Sequence, residues 1–417
     1  MVSNKKYIGP EIKNTPEGWS VAPLGECIKG NGRYGINESA SDYDPQKPRY
    51  LRITDIDDYG NLKQDGEKSV DSEDYAKYLL EEGEIVFART GNTVGKTYLH
   101  KEENGKLVYA GYLIKFEPDP NIIRPKFLKL YTDTAFYRNW IQAISQRSGQ
   151  PGVNSKEYRR MPILLPPIKE QDLILEVINA WDKAISKVQK LIQAKKQYKK
   201  GLMQRLLAGK VRFPEFEGED WVEVKLGEVF DRVTEKNESE SVKNVLTISA
   251  QDGLVSQTDY YNKSVASKDL SNYIVLRQGD FAYNKSYSEG YPLGAIKRLH
   301  DYEKGVLSPL YICFKLASDN VDSDFITHFF EYGGLDHGIY KIAREGARNH
   351  GLLNVSVKEF FEINLTLPQY KEQKKIASIL NEAMSEIELL EEQLEKYQQQ
   401  KKGLMQQLLT GKVRVKV

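Results

Sequence analysis

The 417-residue chain has little of what most enzymes and most secreted proteins are built on. It has two cysteines, Cys27 and Cys313. They offer no disulfide framework and no Cys-x-x-Cys motif, which points to a reducing cytosol. Its five histidines (His100, His300, His328, His337 and His350) show no metal-ligand spacing. No G-x-S-x-G elbow is present, and no Asn/Asp-Pro-Pro-aromatic segment of an amino-methyltransferase, since Leu165 precedes Pro166-Pro167. No apolar run approaches membrane-spanning length, and the N-terminal stretch MVSNKKYIGP lacks the apolar core of a signal peptide. Excess charge is missing too: the formal net charge is +1, so bulk charge names no partner class.

What is there is a duplication. Lys199–Arg212 reads KKGLMQRLLAGKVR and Lys401–Arg414 reads KKGLMQQLLTGKVR; they differ only at Arg205/Gln407 and Ala208/Thr410. The same offset, 403 − 201 = 202, maps Trp19 onto Trp221, Leu24-Gly25-Glu26 onto Leu226-Gly227-Glu228, and Lys169-Glu170-Gln171 onto Lys371-Glu372-Gln373. A fixed shift over such separated marks means a tandem pair of one large unit and excludes a short-period solenoid.

Upstream of each copy runs a helical stripe with alternating steps of four and three. The first holds Ile174, Ile178, Trp181, Ile185, Val188, Ile192, Leu202 and Leu206. The second holds Ile376, Leu380, Ala383, Ile387, Leu390, Leu394, Leu404 and Leu408. Lys195/Tyr397 and Lys199/Lys401 blemish both stripes. Prolines precede each helix (Pro166-Pro167, Pro368), and Gly209 and Gly411 follow as candidate caps. Each helix is expected to run about 40 residues, or ~60 Å. Neither buries its stripe alone, and the obvious partner is the duplicate. Residues 168–213 carry 11 Lys/Arg against 4 Asp/Glu, while Glu382, Glu386, Glu388, Glu391, Glu392 and Glu395 occupy the middle of the second helix. Opposite charges along a seam favour the mixed pair.

The expected fold is α+β: two tandem, repeat-related α/β domains separated by two long helices that pair as an antiparallel coiled coil. The segments are 1–165, with 1–17 a loose leader, then helical 166–212, 213–367, and helical 368–417. In the first domain Arg49–Asp57, Ile85–Arg89 and Val108–Phe116 read as strands, Pro125–Ala143 as a helix, Ser145–Ser155 as a polar loop, and Met161–Leu165 as the closing strand. The second repeats the order with Val245–Ser249, Gly279–Lys285, Val306–Phe314, helix Phe325–Tyr332, loop Arg344–Asn354 and Ile363–Leu367. The second domain is the acidic one, with 16 Lys/Arg against 25 Asp/Glu over residues 214–369. Nucleic-acid binding would therefore need local basic strips.

Two nucleotide-like motifs are weak. Gly30-Asn31-Gly32-Arg33-Tyr34-Gly35 fits G-x-G-x-x-G, but a turn-rich stretch with two prolines follows where a helix is required; a flexible loop is expected. Gly91-Asn92-Thr93-Val94-Gly95-Lys96-Thr97 is one residue short of a phosphate loop, and its counterpart Asn284-Lys285-Ser286-Tyr287 lacks it altogether. A tight turn presenting Arg89, Asn92 and Lys96 is the expectation.

The order of these marks resembles the specificity subunit of type I restriction-modification systems. The residues carrying it are YLRITDID with GEIVFARTGNTVGK, GDFAYNKS with VLSPLYICF, and the doubled LP…KEQ…KKGLMQ.LL.GKVR. The resemblance covers the chain from about Trp19 onward. It implies two target-recognition domains, each reading half of a split site on double-stranded DNA. It also implies a helical ruler on which two modification subunits assemble, with restriction (endonuclease/translocase) subunits joining. It implies no catalysis here, with S-adenosylmethionine, ATP and magnesium belonging to partner subunits, in a cytoplasmic host-defence complex. Candidate DNA-contacting residues are the repeat-equivalent loops. In the first half these are Arg89, Thr90, Asn92, Lys96, Gln146, Arg147, Gln150 and Asn154. In the second they are Asn284, Lys285, Ser286, Tyr287, Arg344, Arg348, Asn349 and His350. Two other classes stay open: an assembly scaffold without sequence readout, and an ATP-dependent or nuclease enzyme resting on the imperfect phosphate loop.

Overall fold

The computed structural model describes residues 6–146, 149–261, 269–345 and 353–415, with Arg344 and Glu345 described in backbone only. Its contacts divide the chain into two compact units, but not at the expected segment limits. Unit 1 is Met1–Val188 together with Gln393–Val417, and unit 2 is Gln189–Glu392. Each long helix is thus shared between units.

In unit 1, strands β1 (Ser20–Pro23), β2 (Ile28–Tyr34), β3 (Ala40–Asp42), β4 (Arg49–Leu51), β5 (Lys68–Val70), β6 (Ile85–Ala88), β7 (Thr97–Leu99), β8 (Leu107–Tyr109), β9 (Leu113–Pro118) and β10 (Pro162–Leu165) are joined by helices α1 (Pro125–Tyr131), α2 (Ala135–Ser145) and α3 (Ser155–Arg159); α4 (Ile168–Leu206) follows. Two four-stranded sheets result, ordered β2-β9-β6-β7 and β3-β5-β4-β8, and β1 pairs separately with β10. In unit 2 the order is β11 (Val222–Lys225), α5 (Leu226–Val229), β12 (Phe230–Arg232), β13 (Leu246–Ser249), β14 (Gly253–Ser256), α6 (Gln257–Tyr261), β15 (Ile274–Arg277), β16 (Phe281–Asn284), β17 (Ala295–Arg298), β18 (Lys304–Leu307), β19 (Ile312–Leu316), α7 (Ser323–Glu331), α8 (Asp336–Ile342), β20 (Arg344–Glu345), β21 (Leu353–Asn354), α9 (Val357–Phe361), β22 (Asn364–Leu367) and α10 (Tyr370–Leu409). The sheet β12-β19-β16-β17 repeats β2-β9-β6-β7, and β11-β22 repeats β1-β10.

Several expected elements are cut shorter, each for a local reason. Arg49–Asp57 is strand only to Leu51, because the Asp55 carboxylate accepts from the backbone and guanidinium of Arg52 and folds the chain into a 3-10 turn. Val108–Phe116 is two strands in two sheets. Leu113 N–H donates to Ala110 O, and the turn between carries the chain from β8 to β9. Val306–Phe314 splits in the same way into β18 and β19. Pro125–Ala143 is two helices, since the Thr134 hydroxyl accepts from Tyr137 N–H and starts α2 afresh. The G-x-G-x-x-G stretch is strand β2, not a flexible loop. A side chain at Gly32 would meet the Phe116 ring at 2.3 Å, so its glycine serves close packing. The expected loose leader is seated: Ile8 N–H donates to Arg160 O (3.2 Å), Trp140 Nε1 donates to Ile8 O (2.7 Å), and Lys6 pairs with Glu26 (2.8 Å).

The long helices have 39 and 40 residues and end at Gly209 (φ +63°) and Gly411 (φ +67°), conformations that favour glycine. They pair antiparallel within each unit. In unit 1 Glu170 meets Arg414 and Asp182 meets Lys401 (2.5 Å), with Trp181 edge-on to Tyr397. In unit 2 Glu372 meets Arg212, Lys195 meets Glu386 (2.6 Å) and Lys196 meets Glu391 (2.7 Å). Of the predicted seam, Ile178, Ile192, Leu206, Leu380, Ile387 and Leu408 are buried. Trp181, Ile185, Val188, Leu202, Leu390, Leu394 and Leu404 are half-buried. The helix ends enter the domain cores: Ile174, Ile178, Leu408 and Leu409 in unit 1, and Met203, Leu206, Leu207, Ile376 and Leu380 in unit 2.

The repeated Lys-Glu-Gln explains itself at these junctions. Gln171 donates Nε2 to Ile122 O and Pro166 O and accepts from Arg124 N–H; Gln373 does the same with Asn320 O, Pro368 O and Asp322 N–H. A buried amide with its donors and acceptor used clamps the loop before α1 or α7 to the start of the long helix. Cys27 and Cys313 are free and buried, and burial pushes both thiols up to about 12.

Candidate nucleic-acid interface

The two loops expected to act together in the first half lie side by side in unit 1. Arg89 is the first residue beyond β6; its carbonyl accepts from Val153 N–H (2.9 Å), Gly91 N–H donates to Pro151 O (3.0 Å), and Thr90 bridges to Gly152. These bonds join the 89–96 turn to the 146–154 loop. Positive φ at Gly91 (+74°) and Gly95 (+88°) makes the turn tight. Strand β7 follows it where a phosphate loop needs a helix, and the Lys96 ammonium is taken by Asp58 (2.7 Å). The nucleotide reading of this segment therefore falls.

Within the pair of loops the side chains divide. The Arg89 guanidinium lies over the Tyr34 ring, 5.0 Å from its centroid, and its buried Nε has no partner among the described residues. Asn92, Gln146 and Gln150 are exposed. Thr90 is half-buried. The exposed Asn154 also starts α3: its Oδ1 accepts from Glu157 N–H (3.0 Å), while the Glu157 carboxylate accepts from Asn154 N–H (2.8 Å), a capping box that leaves the Asn154 Nδ2 donors outward. Arg147 lies outside the described residues.

Unit 2 joins its loops at the equivalent place, with Leu353 N–H donating to Lys285 O (3.0 Å) and Arg344 paired in register with Asn354. The Asn284 Oδ1 accepts from Ser286 N–H (3.0 Å) and shapes the turn. Lys285 and Ser286 are half-buried, and Tyr287 is 63% exposed. Arg348, Asn349 and His350 lie outside the described residues. Sequence reasoning missed Tyr34, visible beforehand only as the aromatic in GNGRYG, and the exposed Tyr112 and Leu310 in the turns before β9 and β19. Tyr112 belongs to the site because its carbonyl accepts from Arg89 N–H (3.0 Å). Among the described residues no group of acidic, His and Cys side chains could hold a metal ion, and no helix is long and apolar enough to cross a membrane.

Two repeat-related α/β units, each with a joined pair of polar loops and each completed by halves of one antiparallel helix pair, define a tandem recognition chain. Residues 16–196 match the family described as the type I restriction modification DNA specificity domain. The chain is 25% identical to the putative type I restriction enzyme MjaX specificity subunit of Methanocaldococcus jannaschii, covering 97% of this chain and 96% of that protein. It is 22% identical to the EcoKI specificity subunit of Escherichia coli K12, covering 91% and 85%. The fold is similar to the HsdS subunit of Thermoanaerobacter tengcongensis, with a TM-score of 0.53, 17% identity, and 96% and 98% of the chains covered. Over nearly its whole length the chain is similar to specificity subunits of type I restriction-modification systems.

Proposed function

We propose that this chain is the DNA-recognition and assembly subunit of a cytoplasmic type I restriction-modification complex. Each unit reads one half of a bipartite site through its joined loops. The helix pair docks two modification subunits and sets the spacer, restriction subunits join that assembly, and methyl transfer and ATP-driven work belong to the partners. The observation that supports this most is the shared frame with exchanged loops. The bond from Val153 to Arg89 recurs as the bond from Leu353 to Lys285, while the exposed residues around it differ. A frame held constant under changing loops is how two versions of one reader acquire two sequences. Base edges are then read by polar side chains such as Asn92, Gln146 and Gln150, with Arg89 held in place by Tyr34.

Methylated adenines mapped genome-wide, in cells carrying this chain with its modification partner, test the reading. A split motif is expected. Unsplit or absent methylation, or binding by the reconstituted complex that salt abolishes without sequence preference, favours the scaffold reading instead. The ruler is tested by inserting four residues after Gln189 and four after Glu391. The insertions add ~6 Å per helix, so a spacer longer by about one or two base pairs with unchanged halves is expected at ~3.4 Å per base pair.

A further inference from the structure

Among the described residues, the seated leader of unit 1 has no counterpart in unit 2. In unit 1, residues 6–10 run over a groove between α2, the end of α3 and β1. The Tyr7 hydroxyl donates to Val21 O, Ile8 is bonded on both sides to Arg160 and Trp140, and Pro16 covers Gly411 and Trp19. Trp19 is left 7% exposed, and its Nε1 donates to Glu170 (2.9 Å).

The segment before Trp221 takes another path. It leaves α4 directly, stacks Phe213 under the Lys375 ammonium (4.4 Å), turns at Pro214–Phe216, and bonds Glu219 to Gln369 (2.7 Å). The groove it does not cover is open, with a volume of about 640 Å³ between α8, the end of α9 and β22. That size is within the ~300–1,000 Å³ of ordinary ligand clefts. Its walls repeat those beneath the leader. Glu362 stands where Arg160 offers its carbonyl, as the matched bonds of Leu24 to Met161 and Leu226 to Ile363 fix. His337 and Lys341 stand on α8, as Trp140 stands on α2. Exposed Glu228 is the repeat partner of Glu26, which holds Lys6 in unit 1. Trp221 forms part of the lining, and its buried Nε1 has no acceptor among the described residues.

We propose that this groove of unit 2 receives an extended segment of a partner polypeptide with the chemistry of the leader: a basic residue, an aromatic, an aliphatic, then Gly-Pro. The occupant runs beside β11, its basic residue meets Glu228, and its backbone carbonyls take the donors of α8. This chain's own leader is engaged in unit 1, so the segment comes from another polypeptide. The inference goes beyond DNA reading and does not depend on it.

A fluorescein-labelled peptide of residues 4–17 (NKKYIGPEIKNTPE) is the probe, titrated into the full-length chain by anisotropy. One equivalent is expected to bind. Thr366→Trp, which fills the groove from an exposed strand position, should weaken binding by about tenfold or more, and Glu228→Gln, which removes the carboxylate offered to the basic residue, by a few-fold. A scrambled peptide should not bind. No binding at ~1 mM peptide, or equal binding to the Thr366→Trp chain, overturns the proposal. A dimer of the unlabelled chain that dissolves on adding peptide would assign the groove to a second copy and overturn the partner assignment.

Discussion

In unit 1 the buried Glu170 carboxylate accepts from Trp19 Nε1 and from both nitrogens of the Arg414 fork. In unit 2 the equivalent Glu372 is held by Arg212, and the Trp221 indole N–H reaches no acceptor among the described residues. Repeat-equivalent Asn179 and Asn381 diverge too: the first accepts from Lys126, while the second accepts from His328 (2.7 Å) and donates to Asp324 (3.0 Å). The junctions share the Glu–Arg pair and the Gln clamp but not the partners of their Trp and Asn. Duplication kept the bonds that tie each domain to the long helices and released the rest.

The largest test of that comparison is a pair of substitutions. Arg212→Ala leaves Glu372 buried without its charge partner, which costs about 3 kcal/mol or more. Arg414→Ala leaves Glu170 with Trp19 still donating, so it should cost measurably less. Chemical denaturation of both full-length variants reads the difference. Equal losses would mean that Trp19 contributes nothing and that the junctions are energetically alike.

Arg89→Ala tests whether the loops are independent readers. If Arg89 contacts the duplex, its loss should weaken binding by about 1–3 kcal/mol and relax discrimination at one position of one half-site. The half read by unit 2 should stay unchanged in the methylation motif. Relaxation in both halves would break the two-reader account.

The smallest expected effect is in the pH dependence. Burial holds His328 below its ordinary value, against the partial support of Asn381, Asp324 and Glu331 and with Lys199 acting in the same direction as burial. The unfolded chain therefore binds the proton more readily than the folded one. The stability tied to His328 is complete above about pH 6.5 and declines as the pH falls through that value toward the depressed folded one. His328→Gln should flatten this slope between pH 7.5 and 5.5 in thermal melts. A variant with the same slope as the parent would show that other groups set it.

Much of the frame was legible in the sequence because duplication printed it twice. The helix limits followed from Pro166-Pro167, Pro368, Gly209 and Gly411, and the seam from its four-three spacing. The antiparallel pairing with the duplicate was legible too, but not the ion pairs that close it, because periodicity states that a stripe is buried and not which side chains meet at its ends. Arg212 and Arg414 looked like ends of a motif, and only the fold shows that each reaches back to the glutamate of the other repeat. The strand break at Ala110 and the helix break at Thr134 were hidden inside apolar runs whose spacing survives the break. The cap at Asn154 was readable, since Asn154-Ser155-Lys156-Glu157 has the spacing of a capping box.

The central claim is that one frame carries two independent readers. Its most direct test replaces residues 214–367 with the equivalent segment of a relative and maps methylated adenines with the same modification partner. The account predicts a motif in which one half changes while the other half and the spacer stay as they were. A change in both halves, or in the spacer alone, would contradict it.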